Sequence, residues 1–327
     1  MKKILIATFI LCLFFGKESY SAPEFYFTNR DASGGLFKID GSSKTASKID
    51  TITAYHDFDS LSRYGTNQLI VSDVYGAYYS YESPAKILVF NTDGTIDSTK
   101  TISTRSEWAI ESNQGNGDIY FAPYFTGGVR KISASDGTES LYAQGPYGTG
   151  SCFVVQRSDN SFYVATYSNI FSVPTISTIY SIEGTGGIFW SVSVDSNDNI
   201  FCLISPDQAN NKITKVDSSN NSSIFWEDPD IRMYGFSFNP VDEFYYGIGK
   251  EVATGDFNVY RFNSNGSASV YLSDISNMPS YLYLMDFVVL EGNGSSGENT
   301  VPEPATIMLL FAGLVSRSVI RFVKSRC

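Results

Sequence analysis

Short apolar segments alternate with polar turns along most of the chain. The segments "WAIESNQGNGDIYFA", "CFVVQRSDNSFYVAT", "WSVSVDSNDNIFCLI" and "YGFSFNPVDEFYYGI" share one pattern, in which two strand-forming runs flank a turn rich in Asp, Asn and Gly. β-branched and aromatic residues in alternation, bounded by such turns, are typical of β-strands. No long amphipathic helix pattern interrupts them, so the sequence predicts an all-β domain over residues 22–291.

The pattern repeats. The predicted second strands begin near six positions: Glu24, Gln68, Asp118, Ser161, Asn199 and Glu243. Third strands follow as "GGLFKID", "AKILVFNTDG", "GGVRKISASDG", "STIYSIEG", "NKITKVDSS" and "FNVYRFNSNG". A period of about 38 to 50 residues is that of a four-stranded propeller blade. Six blades are therefore expected.

The two ends of this repeat complement each other. "EFYFTN" at the start has no first strand before it, and "LMDFVVLEG", from Leu284 to Gly292, has no second strand after it. Pairing the two closes the ring and removes its open edges. The predicted fold is a six-bladed β-propeller closed by pairing of its N- and C-terminal strands.

The repeat resembles the NHL-repeat and gluconolactonase/regucalcin-like propellers. That resemblance implies a divalent cation, such as Ca²⁺, at the mouth of the channel where the innermost strands begin. Asp57, Glu107 and Asp286 are the carboxylates near those strand starts. The Glu-Gly-Pro motif of the gluconolactonases is absent, and "PEF" does not replace it. We therefore expect no bound cofactor, with a cation site at these three residues as the alternative.

Aromatic residues are concentrated in the predicted loops and strand starts on the same face. They are Tyr75, Tyr78, Tyr79, Tyr81, Trp108, Tyr124, Phe125, Tyr167 and Trp190. Flat rings with polar tips suit a saccharide or a protein partner, although packing between blades would account for them equally well.

The N-terminal residues 1–21 read as a secretory signal peptide. Lys2 and Lys3 precede an apolar run, and small residues at Ser19 and Ser21 precede Ala22. This pattern predicts export through secretion machinery.

At the other end, residues 292–300 form a Gly/Ser/Asn linker and residues 301–327 an apolar run with scattered basic residues. We expect a transmembrane helix with Lys324 and Arg326 on the cytoplasmic side. Arg317 and Arg321 lie within the apolar run and would snorkel to the membrane surface. The residues before the helix are Val301, Pro302, Glu303, Pro304 and Ala305.

This tail resembles the PEP-CTERM sorting signal. The resemblance implies an exosortase-type processing enzyme as partner, transient anchoring in the inner membrane of a bacterium with an outer membrane, and a final place at the cell surface or outside. It covers about the last 27 residues, and its basic residues are spread through the end of the helix rather than clustered after it.

The composition argues against nucleic-acid binding and against catalysis by a serine nucleophile with a histidine base. A net charge of -11 and a pI near 4.6 leave no basic surface for a nucleic acid. His56 is the only histidine, and no nucleophilic serine elbow lies near it. Cys152 and Cys202 lie in apolar strands, where they are either buried thiols or a disulfide.

Three functions remain open. The sequence favours a non-enzymatic, exported propeller that binds exopolysaccharide or a surface partner. The alternatives are a metal-dependent lactonase or hydrolase, and a structural matrix protein without a defined ligand.

Overall fold

The fold is a ring of six four-stranded antiparallel sheets. A computed structural model describes residues 22–29, 34–52, 58–73, 86–102, 107–123, 128–145, 151–166, 168–175, 177–182, 188–205, 212–279 and 286–291. Residues Ala22–Gly292 form one compact unit. The predicted signal peptide, linker and sorting tail lie outside the described residues.

Blade 1 contains β24 (Phe287–Glu291), β1 (Pro23–Asn29), β2 (Gly35–Asp40) and β3 (Thr45–Lys48). Blade 2 contains β4 (Phe58–Tyr64), β5 (Gln68–Asp73), β6 (Lys86–Asn91) and β7 (Ile96–Thr101). Blade 3 contains β8 (Glu107–Ser112), β9 (Ile119–Pro123), β10 (Val129–Ile132) and β11 (Glu139–Ala143).

Blade 4 contains β12 (Ser151–Gln156), β13 (Phe162–Thr166), β14 (Asn169–Val173) and β15 (Ser177–Ser181). Blade 5 contains β16 (Ile188–Val194), β17 (Ile200–Ser205), β18 (Lys212–Val216) and β19 (Ser222–Glu227). Blade 6 contains β20 (Ile231–Asn239), β21 (Phe244–Glu251), β22 (Phe257–Phe262) and β23 (Ala268–Leu272).

The predicted closure is confirmed. β24 pairs with β1 in antiparallel register, from Pro23 opposite Glu291 to Phe27 opposite Phe287. A second contact closes the outer rim, because the Ser276 N–H donates to Lys44 O at 2.9 Å and the Ala46 N–H donates to Ser276 O at 3.0 Å. The end of blade 6 therefore covers the outer edge of blade 1.

Asp and Asn side chains shape the turns. Asp195 Oδ1 accepts the N–H groups of Asn197 and Asn199, each at 2.9 Å, and Asp217 Oδ1 does the same for Ser219 and Asn221. Such local bonds satisfy backbone donors that no strand partner reaches. The stretch "DSNDN", which imitates half of a calcium loop, is therefore a turn between strands.

The core lies between neighbouring blades. Phe201 of β17 and Phe236 of β20 are buried and have ring centroids 6.1 Å apart, and Phe25 stacks on Phe287 across the closing pair at 5.8 Å. Offset or tilted aromatic pairs of this kind add stability beyond the apolar area they bury. Cys202 also lies here as a buried free thiol.

Blade 4 differs from the sequence prediction. "STIYSIEG" was expected to supply its third strand, but the third strand is β14 and the segment Ser177–Ser181 is the outermost strand. β13 ends at Thr166 and β14 begins at Asn169, so the connection between them is very short. The alternating strand pattern continues across it, and the sequence shows no recognisable turn there.

No helix within the described part of the chain is long and apolar enough to cross a membrane.

Candidate ligand site in the central channel

The alternation of strand direction gives the ring two faces. We call the start face the one on which the innermost strands begin and the second strands lead into the third. The turn face lies opposite and carries the turns between first and second strands and between third and fourth strands. Both described ends of the ring, Pro23 and Glu291, lie on the turn face because they pair at the outgoing end of β24.

A cavity of about 400 Å³ occupies the channel and reaches the turn face. Asp286 and Ser60 lie deep within it, while Gln114, Ser158, Ser196 and Pro240 lie in or beside the first turns of four blades. The sequence prediction placed the site at the start face, so this cavity was not expected.

Polar side chains link the innermost strands around the channel. Each innermost strand has a neighbour on one side only, so its other edge leaves backbone N–H and C=O groups towards the channel. Ser60 Oγ accepts the N–H of Ile110 at 3.2 Å, and Ser193 Oγ accepts that of Phe238 at 3.0 Å. These serines therefore replace the missing strand partner.

Asp286 performs the same task at the closure. Its Oδ2 accepts the Leu61 N–H at 2.9 Å, and burial raises the pKa of this carboxyl to about 7 although the bonds from Leu61 and Ser60 oppose the shift. The residue was predicted as a metal ligand, and the structure shows one of its carboxylate oxygens bound to the neighbouring strand.

The other two predicted metal ligands have no described side chain. Asp57 lies outside the described residues, and so does the side chain of Glu107, the first residue of β8. No three His, Cys, Asp or Glu side chains in the described part of the chain form a group that could hold a metal ion.

Glu111 and Arg63 are the charged residues that sequence reasoning missed. Glu111 Oε1 accepts bonds from Ser62 Oγ and, at 2.9 Å, from the Ser112 N–H. Burial raises the pKa of Glu111 to about 7 in spite of these bonds. In the sequence, the only signal for Arg63 and Glu111 was that each lies next to a serine, in "FDSLSRY" and "EWAIES".

Arg63 projects towards blade 6. Its Nη2 donates to Phe238 O at 3.3 Å and to Asn239 Oδ1 at 3.5 Å. Burial lowers the pKa of this guanidinium to about 10, against the attraction of Glu111, Asp242 and Glu291, so it remains charged at neutral pH.

The predicted aromatic face is largely outside the described residues, namely Tyr75, Tyr78, Tyr79, Tyr81, Tyr124, Phe125, Tyr167 and the side chain of Trp108. Trp190 is described, and its surroundings match the alternative that these aromatic residues pack between blades. It is 4% exposed and packs 6.5 Å from Tyr234.

A bulge explains the burial of Trp190. The pairing of β16 with β17 shifts between Phe189 and Ser191, so Trp190 is the extra residue, and Tyr234 holds the same place in β20. Bulges redirect side chains and increase local twist. An alternating strand pattern places successive side chains on opposite faces of the sheet. The sequence therefore did not predict that Phe189 and Trp190 would both be buried.

Comparison with known proteins supports the fold alone. No family model and no curated protein matches the chain. Among solved structures, a nidogen/laminin complex aligns at a TM-score of 0.59 and 9% identity, over 81% of this chain and 98% of that one. A protein of unknown function from Bacteroides caccae aligns at 0.53 and 10%, over 82% and 99%.

A third structure, a catalytically inactive virginiamycin B lyase from Staphylococcus aureus with quinupristin, aligns at a TM-score of 0.50 and 16% identity, over 78% of this chain and 86% of that chain. Identities this low carry the six-bladed architecture and no activity.

Proposed function

We propose that this protein is a non-catalytic, exported β-propeller that is sorted to the cell envelope by its PEP-CTERM-like tail and binds polysaccharide or a surface partner there. The observation that carries the proposal is the pairing of Pro23 with Glu291. Both described ends of the ring therefore lie on the turn face, so the chain continues towards its tail from that face and not from the face where the innermost strands begin.

We expect the start face to carry the loops with the predicted aromatic residues. The strands flanking these loops end there, with Asp73 and Lys86 opposite each other in blade 2. A ring tethered through its turn face would present these loops outwards. Tyr and Trp side chains suit saccharide rings because they combine flat apolar faces with polar tips.

A metal-dependent hydrolase is less well supported. Asp286 is 9% exposed and its carboxylate already accepts the Leu61 N–H, so little of it faces solvent. A Lewis-acid site needs carboxylates that converge on one open position.

Sorting is tested in the native host with the double variant Pro302→Ala/Glu303→Ala, and with Thr300→Ala in the linker as the matched control. The wild type and the control should be recovered outside the inner membrane with an intact mass that lacks the tail. The double variant should keep its full tail in the inner membrane. An unchanged mass and location of the double variant would refute sorting by this motif.

Binding is tested by cosedimentation of the exported protein with the envelope polysaccharide of the same host. Tyr78→Ala and Tyr79→Ala should each weaken retention, whereas Ile224→Ala, on the exposed outer strand of blade 5, should not. Equal and strong retention of all variants would place binding away from these two tyrosines, and uniformly weak retention, the wild type included, would argue for the structural matrix alternative.

A further inference from the structure

The channel cavity has the dimensions of a small-molecule site and a set of hydrogen-bonding groups that the fold does not use. Its volume of about 400 Å³ lies within the usual range of such sites, ~300–1,000 Å³. It lies on the turn face, away from the loops of the preceding proposal.

Arg157 follows the innermost strand of blade 4, and its guanidinium lies over the Tyr163 ring, 4.9 Å from the ring centroid. The two carboxylates beside it leave its terminal nitrogens without short hydrogen bonds. Its Nη1 lies 3.7 Å from Asp159 and its Nη2 lies 3.8 Å from Asp198, distances too long for hydrogen bonds. Its Nε is buried and has no hydrogen-bond partner among the described residues. A buried donor of this kind normally has a partner, from protein, water or ligand.

Arg63 and Glu111 add a donor and an acceptor deeper in the cavity. The hydrogen bonds from the Arg63 guanidinium to blade 6 both leave from Nη2. The bonds to Glu111 from Ser62 and Ser112 both end on Oε1. Each of these planar groups therefore makes the bonds just described through one of its terminal atoms. A planar group with a further terminal atom left for a ligand suits two adjacent hydroxyl groups.

The charge of the cavity is close to balanced. Two guanidinium groups, Arg63 and Arg157, face three carboxyl groups, Glu111, Asp195 and Asp286. Two of these carboxyl groups have a pKa near 7, so they are partly neutral at physiological pH. Such a site gives no net preference for an anion or a cation, whereas a neutral ligand with many hydroxyl groups meets both donors and acceptors.

Apolar surface completes the lining. Phe153 and Phe238 contribute to the walls and are each just under 10% exposed. Aromatic and aliphatic walls suit the C–H faces of a sugar ring, while the polar groups fix its orientation.

We propose that this cavity binds a neutral saccharide of one or two rings that enters from the turn face, with Arg63, Glu111 and Arg157 bonding to its hydroxyl groups. The mouth of the site lies on the opposite face from the strand ends that flank the start-face loops.

The test is calorimetric titration of the exported protein with glucose, galactose, mannose, N-acetylglucosamine and cellobiose, and with glucuronate and glucosamine as charged counterparts. At least one neutral sugar should bind with a dissociation constant of about 1 mM or below. Ser196→Trp, which fills the mouth from an exposed turn, should weaken that binding about tenfold or more, because the tryptophan occupies the entrance.

Two further variants make the result specific. Arg157→Lys keeps the charge but removes the planar guanidinium with its paired terminal donors, and should weaken binding about fivefold or more. Ser218→Trp places the same bulk on an exposed turn of the same face outside the cavity, and should bind as the wild type does. Thermal unfolding of each variant confirms that the ring is intact.

The proposal is overturned if no neutral sugar binds with a dissociation constant of about 1 mM or below, if glucuronate or glucosamine binds about tenfold more tightly than every neutral sugar, or if Ser196→Trp binds as tightly as the wild type. Retention on polysaccharide by the start face is measured separately with Tyr78→Ala, so failure of one site does not imply failure of the other.

Discussion

The carboxylate of Asp286 accepts the backbone N–H of Leu61 at 2.9 Å, across 225 residues of sequence. This bond joins the segment that closes the ring to the innermost strand of blade 2. It also gives a buried edge donor the partner that a fifth strand would otherwise provide.

Removing that acceptor should destabilise the ring. Asp286→Ala leaves the Leu61 N–H unpaired in the interior and should lower the free energy of unfolding by about 1–3 kcal/mol. Asp286→Asn keeps an acceptor in place and should cost less than about 1 kcal/mol. Denaturant unfolding at pH 7 measures both, and equal losses for the two variants would show that the bond is unimportant. If Asp286 were instead a metal ligand, the Asn variant would lose bound divalent cation at little cost in stability.

Stability should fall as the pH rises from about 5 to about 8. Burial raises the pKa of both Asp286 and Glu111 to about 7, well above the ~4 of an unfolded carboxyl group. Between these values the folded state binds more protons than the unfolded state, so their contribution is fully present below the unfolded pKa and is lost as the pH passes the folded pKa. Each group contributes a slope of at most about 1.4 kcal/mol per pH unit.

The variant Glu111→Gln should flatten this dependence, as should Asp286→Asn. Unfolding free energies at four or five pH values, compared with those of the wild type, measure the slope. A slope unchanged by either substitution would mean that these carboxyl groups are ionised throughout the range.

One glycine should be far less replaceable than its equivalent in another blade. Gly266 has φ +84° in the turn between β22 and β23, and a Cβ there would lie 1.8 Å from Phe225 O. Gly137 has φ +71° at the same turn position in blade 3, with nothing within 4 Å of its Cβ. Both Ala variants bear the left-handed strain of about 1 kcal/mol, but only Gly266→Ala also displaces the adjacent backbone.

We therefore expect Gly266→Ala to cost at least about 2 kcal/mol more than Gly137→Ala in thermal or denaturant unfolding. Similar losses for the two variants would indicate that blades 5 and 6 can separate slightly at this turn without penalty.

Trp190 should matter for stability and not for ligand binding. It is almost fully buried beside Tyr234, so Trp190→Ala should cost about 3–5 kcal/mol, and Trp190→Phe should cost distinctly less because its indole Nε1 has no hydrogen-bond partner among the described residues. Polysaccharide retention by the folded Phe variant should equal that of the wild type. A selective loss of retention with normal stability would return Trp190 to the ligand face.

The sequence predicted the ring because its turns are local. The second strands begin within one residue of the predicted positions, for example at Gln68 and Ile200, since Asp, Asn and Gly residues mark the preceding turns. The closure was also predictable, because the repeat leaves one incomplete blade at each end of the chain. Pairing the two terminal strands completes one blade and leaves no open edge.

The channel site was not predictable in the same way. Arg63, Glu111 and Arg157 come from three blades, and no spacing in the sequence brings them together. Bulges in the innermost strands add a second obstacle, because each one changes which side chains face a neighbouring blade. The predicted start-face residues, apart from Asp286 and Trp190, are not tested by the described side chains.

The pairing of β24 with β1 has a mechanical consequence. β24 runs from the start face to the turn face, so a ring held by a tail beyond Glu291 and pulled through a partner on its start face is loaded along the length of that strand. Force in this direction shears the ladder, and its five residue pairs share the load instead of opening one after another. If the proposed function is correct, a propeller closed in this way is suited to bearing tension between the cell envelope and a bound partner.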